Sequence, residues 1–599
     1  MKKVKFYKIV SAVLAIFVLL MAVKIYYPVS VGVKGMKKIY LRDFGIEANS
    51  EKDAVPAIKA AIREANEYNG VCEIVFDEGV YNAHLADLSS LEIHVSNTIA
   101  EGSNREKGEC DSIERNTPFL IDGMSDIIIN GSNSLIKCHG KMTEVIIRNS
   151  ENITFKNIRF DYVNPTVTEM TVIAVGDNYL DCKISEEFPY KIVDGKIVWY
   201  GENYEFSMGI SQLFDANSGL TWRYPSPLED KNAKFEELSS GLVRLYFNPN
   251  GNGQNPYDAK LGYVFQMREP IRDECGVIIS DCKHISFINT TMHFMSGIGF
   301  IAQNSDGIYL DRFNVYPSVG RTASCAADFM HFSGCRGKIT IKNGFYLGAH
   351  DDAINVHGTH LKITDVDYEE NKVKLKFMHS QTYGIGGFKV GDEIVAVNPY
   401  SLIEAAKTKI LSVEELNPYE IALSVESAEG FTPDFVVENI SATAEVLIKN
   451  NHFERIPTRG ILITTRKPVV IEDNVFKNVK GCAVLIADDA RSWYESGCVR
   501  DVTIRNNTYK AGGNRFVIIA PECGEFSTEA VHSGIKITDN LVELSLMDEV
   551  ISAKNSKDIV FSDNVIYGPF EKCRITLDKV QNAVVNNNIY NGSVIHQKP

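Results

Sequence analysis

The sequence predicts an all-β protein: a right-handed parallel β-helix, a solenoid, carrying two inserted small antiparallel β-barrel domains. Three observations predict it. A unit of the form I-x-I-x-[ND]-N-x-[FIV] recurs along the chain. One stretch repeats itself 24 residues later, the length of one coil. Two long gaps in the series are strand-rich, with alternating polarity and Gly, Asp or Asn turns.

The first segment, Met1 to Tyr27, carries Lys2, Lys3, Lys5 and Lys8 ahead of an apolar run from Ile9 to Val23. That run suits a signal peptide better than a full span of about 20 residues, although no clean A-x-A site follows. A signal peptide or an uncleaved membrane anchor is expected, and with either an exported protein, periplasmic or at the cell surface. From Tyr40 the text changes. Asp53–Glu67 places Ala54, Ile58, Ala61, Ile62 and Ala65 on one helical face. Such a helix caps the first coil, whose core would otherwise be open. Residues 40–161 thus read as the cap and first coils.

The repeating unit then appears in DIIINGSNSLI (126–136), ENITFKNIRF (151–160), KHISFINTTMHF (283–294), GKITIKNGFY (337–346) and AEVLIKNNHFERI (444–456), and continues to VQNAVVNNNIY (580–590). Alternate apolar residues point into the coil. Asparagines at the bends tolerate left-handed backbone and stack in hydrogen-bonded ladders. A β-sandwich would show hairpin turn pairs, which these coils mostly lack. The gaps, 162–272 and 361–442, read as the two barrels; 273–360 and 443–599 read as central and C-terminal coils. The second barrel follows the self-repeat directly, which sets it over that stretch. Its glycine-rich YGIGGF (383–388) precedes neither a helix nor GK[ST], so it reads as a turn rather than a phosphate loop.

The self-repeat holds the chemistry. Asp328 precedes FMHFSG and Asp352 precedes AINVHG, which aligns Met330 with Ile354, Phe332 with Val356 and Gly334 with Gly358. Stacked coils lie about 4.8 Å apart, so Asp328 and Asp352 become neighbours with Asp351 beside them. Like charges that close raise each other's pKa, which points to function. Glycoside hydrolysis needs one carboxylic acid to protonate the leaving oxygen and one carboxylate to activate water or attack carbon, about 6.5–9.5 Å apart in an inverting enzyme. Asp351 is read as the general acid, and Asp328 with Asp352 as the pair that orients water.

Candidate substrate-binding residues surround the trio. If Ile461 and Ile463 stack on Ile354 and Val356, Arg459 falls beside Asp352, as a hydroxyl-binding group or as a plain salt bridge. His331, Asn355 and His357 alternate with inward apolar residues and face outward, to bind sugar or simply to be solvated. Trp222 is an aromatic in loop-like text, a sugar-stacking surface or a buried anchor, and so is Trp493. Asp488 and Asp489 have no repeat partner and read as a loop or cap.

Composition excludes other classes. The chain has 599 residues and a formal net charge of −15. No broad basic face is available for nucleic acid, and an anionic polymer such as pectin is disfavoured. The twelve cysteines form no CxxC or Cys/His pattern, so buried thiols are expected rather than a zinc site or a disulfide framework. No metal and no cofactor are expected.

The Asp…Asp-Asp pattern resembles the polygalacturonase class of β-helix glycosidases. The spacing of the aspartates, GAHDDAINVHGTH and the helix-capped start resemble more closely glycoside hydrolase family 110, the bacterial α-1,3-galactosidases. That resemblance implies a β-helix with two inserted barrels and an exo-acting, metal-independent, inverting enzyme. It implies substrates with terminal α-1,3-linked galactose: blood group B antigen and linear Gal-α1,3-Gal. The polygalacturonase pattern is departed from, since V-H-G follows the aspartate pair instead of G-H-G and R-I-K is missing; both changes argue against a uronic acid substrate. Two alternatives remain: another β-helix glycosidase or a lyase acting on acidic polysaccharide, and a non-catalytic carbohydrate-binding solenoid. Oligomeric state is not legible.

Overall fold

The computed structural model describes residues 35–98, 114–250, 255–523 and 529–595; the apolar leader lies outside them. Among the described residues no helix is long and apolar enough to cross a membrane.

The solenoid consists of three parallel ladders. One runs through Val145–Arg148, Cys275–Ser280, Ile298–Gln303, Met330–Ser333, Ile354–Thr359, Arg459–Ile463 and Cys482–Ile486. A second runs through Lys283–Met292, Asp306–Val315, Arg336–Lys342, Glu445–Lys449 and Val469–Glu472. The third, of shorter strands, runs through Phe345–Leu347, His452–Ile456, Val475–Val479 and Thr508–Lys510. Strand alternation turns every second residue inward. Like therefore stacks on like: Tyr346 on Phe453 at 5.1 Å and Phe453 on Phe476 at 5.2 Å. A single continuous core results. The helix Val55–Glu67 closes its end, burying Ile58, Ala61, Ile62 and Ala65.

The asparagine doublets divide their labour. The first member of each, at Asn450, Asp473, Asn506, Asp539, Asp563 and Asn587, takes positive φ and turns the chain. The second members, Asn451, Asn474, Asn507, Asn540, Asn564 and Asn588, are buried and form a ladder, each Nδ2 donating to the next Oδ1 at 2.8–3.0 Å. Asn507 also receives the backbone N–H of Asn474 and donates to the Ile471 carbonyl. Asn507→Ala leaves these buried partners unmatched and should destabilise the C-terminal coils by about 2–3 kcal/mol, read as a lower urea midpoint.

Both gaps hold antiparallel inserts. The first comprises a seven-stranded sheet and a three-stranded companion. The two share a core that includes Trp199 and Phe265. Among the described residues, strand pairing does not close this insert into a ring. The second does close: Leu361–Asp367, Lys372–Lys376, Glu420–Val425, Glu404–Asn417, Glu393–Val397 and Val436–Asn439 form a six-stranded barrel. The YGIGGF segment is a turn, with Gly384, Gly386 and Gly387 all at positive φ. The eleven described cysteines are free, nine of them buried.

Candidate active site

The strand register builds the site. Met330 pairs with Ile354 and Phe332 with Val356, and Ile354 and Val356 pair in turn with Ile461 and Ile463. The backbone ladder continues past the strand ends, where Phe329 donates to the Asp352 carbonyl at 3.0 Å and Asp351 to the Ala327 carbonyl at 3.2 Å. Asp328 and Asp352 thus occupy adjacent rungs. The Asp352 N–H donates to Asp328 Oδ1 at 3.3 Å. One carboxylate oxygen from each of Asp328, Asp351 and Asp352 lies within 4.8 Å of the others. This is tighter than the span expected for an acid and a base facing each other across a water.

The trio opens to solvent at Asp351. Its side chain is 24% exposed, against 9% for Asp328 and 2% for Asp352. Arg459 falls beside Asp352, with Nη2 2.6 Å from Oδ2 and its backbone N–H 3.0 Å from Oδ1. Arg223 closes the other side, reaching Asp351 Oδ2 at 2.6 Å and the His350 carbonyl at 3.0 Å. Arg223 lies on Thr221–Tyr224 of the first insert. Gln212 of the same insert donates to the Ala349 carbonyl at 3.1 Å, so that domain braces the segment before the aspartates. From the second insert, Gln381 accepts from Arg272 at 2.8 Å.

These charges separate the three carboxyls. Burial, reinforced by Asp351 and opposed by Arg272 and Arg459, pushes Asp328 up to about 7. Burial, opposed by Arg459 and reinforced by Asp351 and Asp328, does the same to Asp352. At Asp351 burial acts upward too, but Arg223, Arg459, Arg268 and Arg272 outweigh it and hold the carboxyl below the usual range. Asp351 is therefore held toward the carboxylate form and Asp328 and Asp352 toward the acid form, so a general-acid role for Asp351 needs a proton supplied from the other two.

The other expected residues divide. His331, Asn355 and His357 do face out of the coil, yet they are buried rather than solvated. Glu495, on a strand paired antiparallel to Gly358 and Thr359, covers them. Its carboxylate accepts from Asn355 at 3.3 Å and stands 3.7 Å from His357 Nε2. His331 Nδ1 is 2.9 Å from Asp328 Oδ2. These residues form a layer beneath the trio instead of lining open space. Trp222 does not join them. Strand alternation sends its ring away from Arg223. It packs edge-on against Tyr263 at 5.8 Å, against the core of the first insert. Trp493 is 45% exposed and stacks on His379 at 4.6 Å. Asp489 organises the loop leading to Glu495, accepting from the backbone of Arg491 at 2.8 Å, Ser492 at 3.0 Å, Trp493, and Tyr494 at 3.3 Å.

Sequence reasoning missed Arg223, Arg268, Arg272 and Glu495. None lies in the repeat, and alternation within the inserts marks an outward face without saying what that face meets.

Residues 168–253 match the family model for GLAA-B β-barrel domain I and residues 372–429 that for GLAA-B β-barrel domain II, each within an insert. α-1,3-Galactosidase A of Bacteroides thetaiotaomicron is 36% identical over 85% of this chain and 89% of that protein. The chain belongs to the α-1,3-galactosidase family. It is a glycoside hydrolase, and its substrates are carbohydrates. α-1,3-Galactosidase A of Akkermansia muciniphila is 36% identical over 68% of each chain. α-1,3-Galactosidase B of Bacteroides thetaiotaomicron is 29% identical over 93% of this chain and 92% of that protein.

Proposed function

We propose that this α-1,3-galactosidase removes terminal α-1,3-linked galactose by inversion, without a metal, with Asp328, Asp351 and Asp352 as its catalytic groups. The observation that carries the reading is the trio's geometry: three carboxyls within 4.8 Å of one another, Asp351 at the solvent edge against Arg223 and the two deeper ones beside Arg459 and His331. Asp351 meets the glycosidic oxygen. Entry of the sugar displaces Arg223 from Asp351, whose carboxyl then rises and takes a proton from the pair behind it. Asp328 and Asp352 hold the attacking water. Both are too deeply set to bond the anomeric carbon: the Asp352 oxygens are occupied by Arg459, and those of Asp328 by His331 and the Asp352 N–H.

The short spacing of the trio favours a second reading, retention, which brings the acid and nucleophile to about 5–5.5 Å. The two readings differ in the first product. Incubating the enzyme with branched group B trisaccharide or linear Gal-α1,3-Gal and following the released sugar by proton NMR should show β-galactose first. α-Galactose as the first product would establish retention.

Arg459 and Arg223, 35% and 38% exposed, are the side chains we assign to the sugar's hydroxyls. The basic, apolar leader supports export to the periplasm or cell surface, with anchoring if the leader is not cleaved. Membrane fractionation of the expressing cells tests this, with activity in the cytosolic fraction as the contrary result.

A further inference from the structure

Three buried contacts behind the trio run in series. His357 Nδ1 is 2.6 Å from the Gly358 carbonyl, His331 Nε2 is 2.7 Å from His357 Nε2, and His331 Nδ1 is 2.9 Å from Asp328 Oδ2. A carbonyl only accepts, so His357 Nδ1 carries the hydrogen. A neutral His357 then presents a lone pair at Nε2, and His331 must donate to it from Nε2. A neutral His331 consequently presents a lone pair at Nδ1. The only hydrogen left for the last contact is one on Asp328 Oδ2.

We propose that His331 and His357 form a one-way hydrogen-bond chain, fixed at its far end by the Gly358 carbonyl, that seats the trio's proton on Asp328. The two histidines are positioning residues, since they act through Asp328 and touch no substrate. The proposal rests on the trio being catalytic.

The surroundings support neutral rings. Burial pushes His331 down to about 4, against the pull of Glu495, and also lowers His357. Burial likewise favours the acid form of Asp328. The charged groups facing this chain are Asp351 and Asp352 from the neighbouring coil, Arg459 from the next, Arg272 from the segment after the first insert, and Glu495 from the covering strand. Glu495 is the opposing influence. Glu495 lies below the usual range against its own burial; of the groups that hold it there, His357 and His331 act only as imidazolium, whereas Asn355 and Arg459 act with the rings neutral. An ionised Glu495 favours an imidazolium, which would reverse the last contact. The 2.7 Å separation of the two Nε2 atoms is a hydrogen bond's. Two imidazoles on one tetrahedral ion would stand about 3.3 Å apart.

The tautomers are directly observable. In ¹⁵N-histidine-labelled wild-type enzyme at pH 6, with His331 assigned by comparison with H331Q, its Nδ1 should give the signal of an unprotonated ring nitrogen and its Nε2 that of a protonated one. A protonated Nδ1 on His331 would overturn the proposal, whatever the enzyme's activity. So would inactivation by a chelator reversed by zinc, which would make both Nε2 atoms ligands. Kinetics give an independent reading. His357→Gln keeps an acceptor for His331 and should retain the alkaline limb of the kcat profile. His357→Leu removes it, lets His331 turn its hydrogen toward Asp328, and should move that limb down by about one pH unit or more. Equal limbs in the two variants would refute the chain. Full activity in Asp351→Asn would instead reject the catalytic assignment and leave the tautomer result standing.

Discussion

Asp351→Asn and Asp352→Asn should each lower kcat for galactose release by about 10²- to 10⁴-fold while leaving the circular dichroism spectrum and melting temperature near the wild-type values. The amide keeps the shape and one acceptor oxygen of each carboxyl, so the contacts from Arg223 and from the Arg459 backbone survive. What disappears is the ability to give or take a proton. Asp351 lies at the solvent edge, and the buried Asp352 keeps the backbone contact from Arg459 as an amide, so folding should survive both changes. Turnover within a factor of a few of wild type in either variant would remove that residue from the mechanism. An unfolded variant would show instead that the carboxylate holds the coils together.

Replacing Arg223 should alter the pH profile. The working form of the trio carries one transferable proton. With Asp328 and Asp352 pushed up to about 7, that proton is lost as pH rises through neutrality. Activity should therefore fall on the alkaline side near pH 7, and on the acid side as a second proton arrives; both limbs belong to the coupled group. Arg223, 2.6 Å from Asp351 Oδ2, is the strongest of the charges holding that carboxyl down. Arg223→Met lets Asp351 keep a proton to higher pH before sugar enters and should move the alkaline limb of kcat/KM, which reports the free enzyme, upward by about one unit. A shift of the acid limb alone would identify Asp351 as the base.

Stability should carry the same sign. A carboxyl whose folded pKa lies above its ordinary value of 3.8 contributes stability in full below that value and loses it as pH rises through about 7. Melting temperature should decline between pH 5 and pH 8, and Asp328→Asn should flatten the decline.

The coil period, the cap helix, the two inserts and the register that brings Asp328 to Asp352 are all legible in the sequence. The reason is local: in a solenoid, residues one coil apart are neighbours, so repetition in the text is contact in space. Arg459 was reachable by the same reasoning, because its strand continues the ladder, and so was the division of each asparagine doublet into a turn-former and a ladder member. Trp222 was misleading because an aromatic in turn-rich text looks available until its strand neighbours are known.

The electrostatics came only from tertiary structure. Arg223, Arg268 and Arg272 belong to the first insert or the segment just after it, and Glu495 to the short strand Glu495–Ser496, all far along the chain from Asp351. No period ties them to the coil, since packing between an insert and a solenoid leaves no spacing signal. Burial by those segments also turned two outward histidines from solvated groups into neutral, hydrogen-bonded ones, and it decided which aspartate is charged. The sequence by itself determined that three carboxyls meet; the folded surroundings determined where their proton resides, because ionisation depends on solvent exclusion and on charges that only the complete packing brings near.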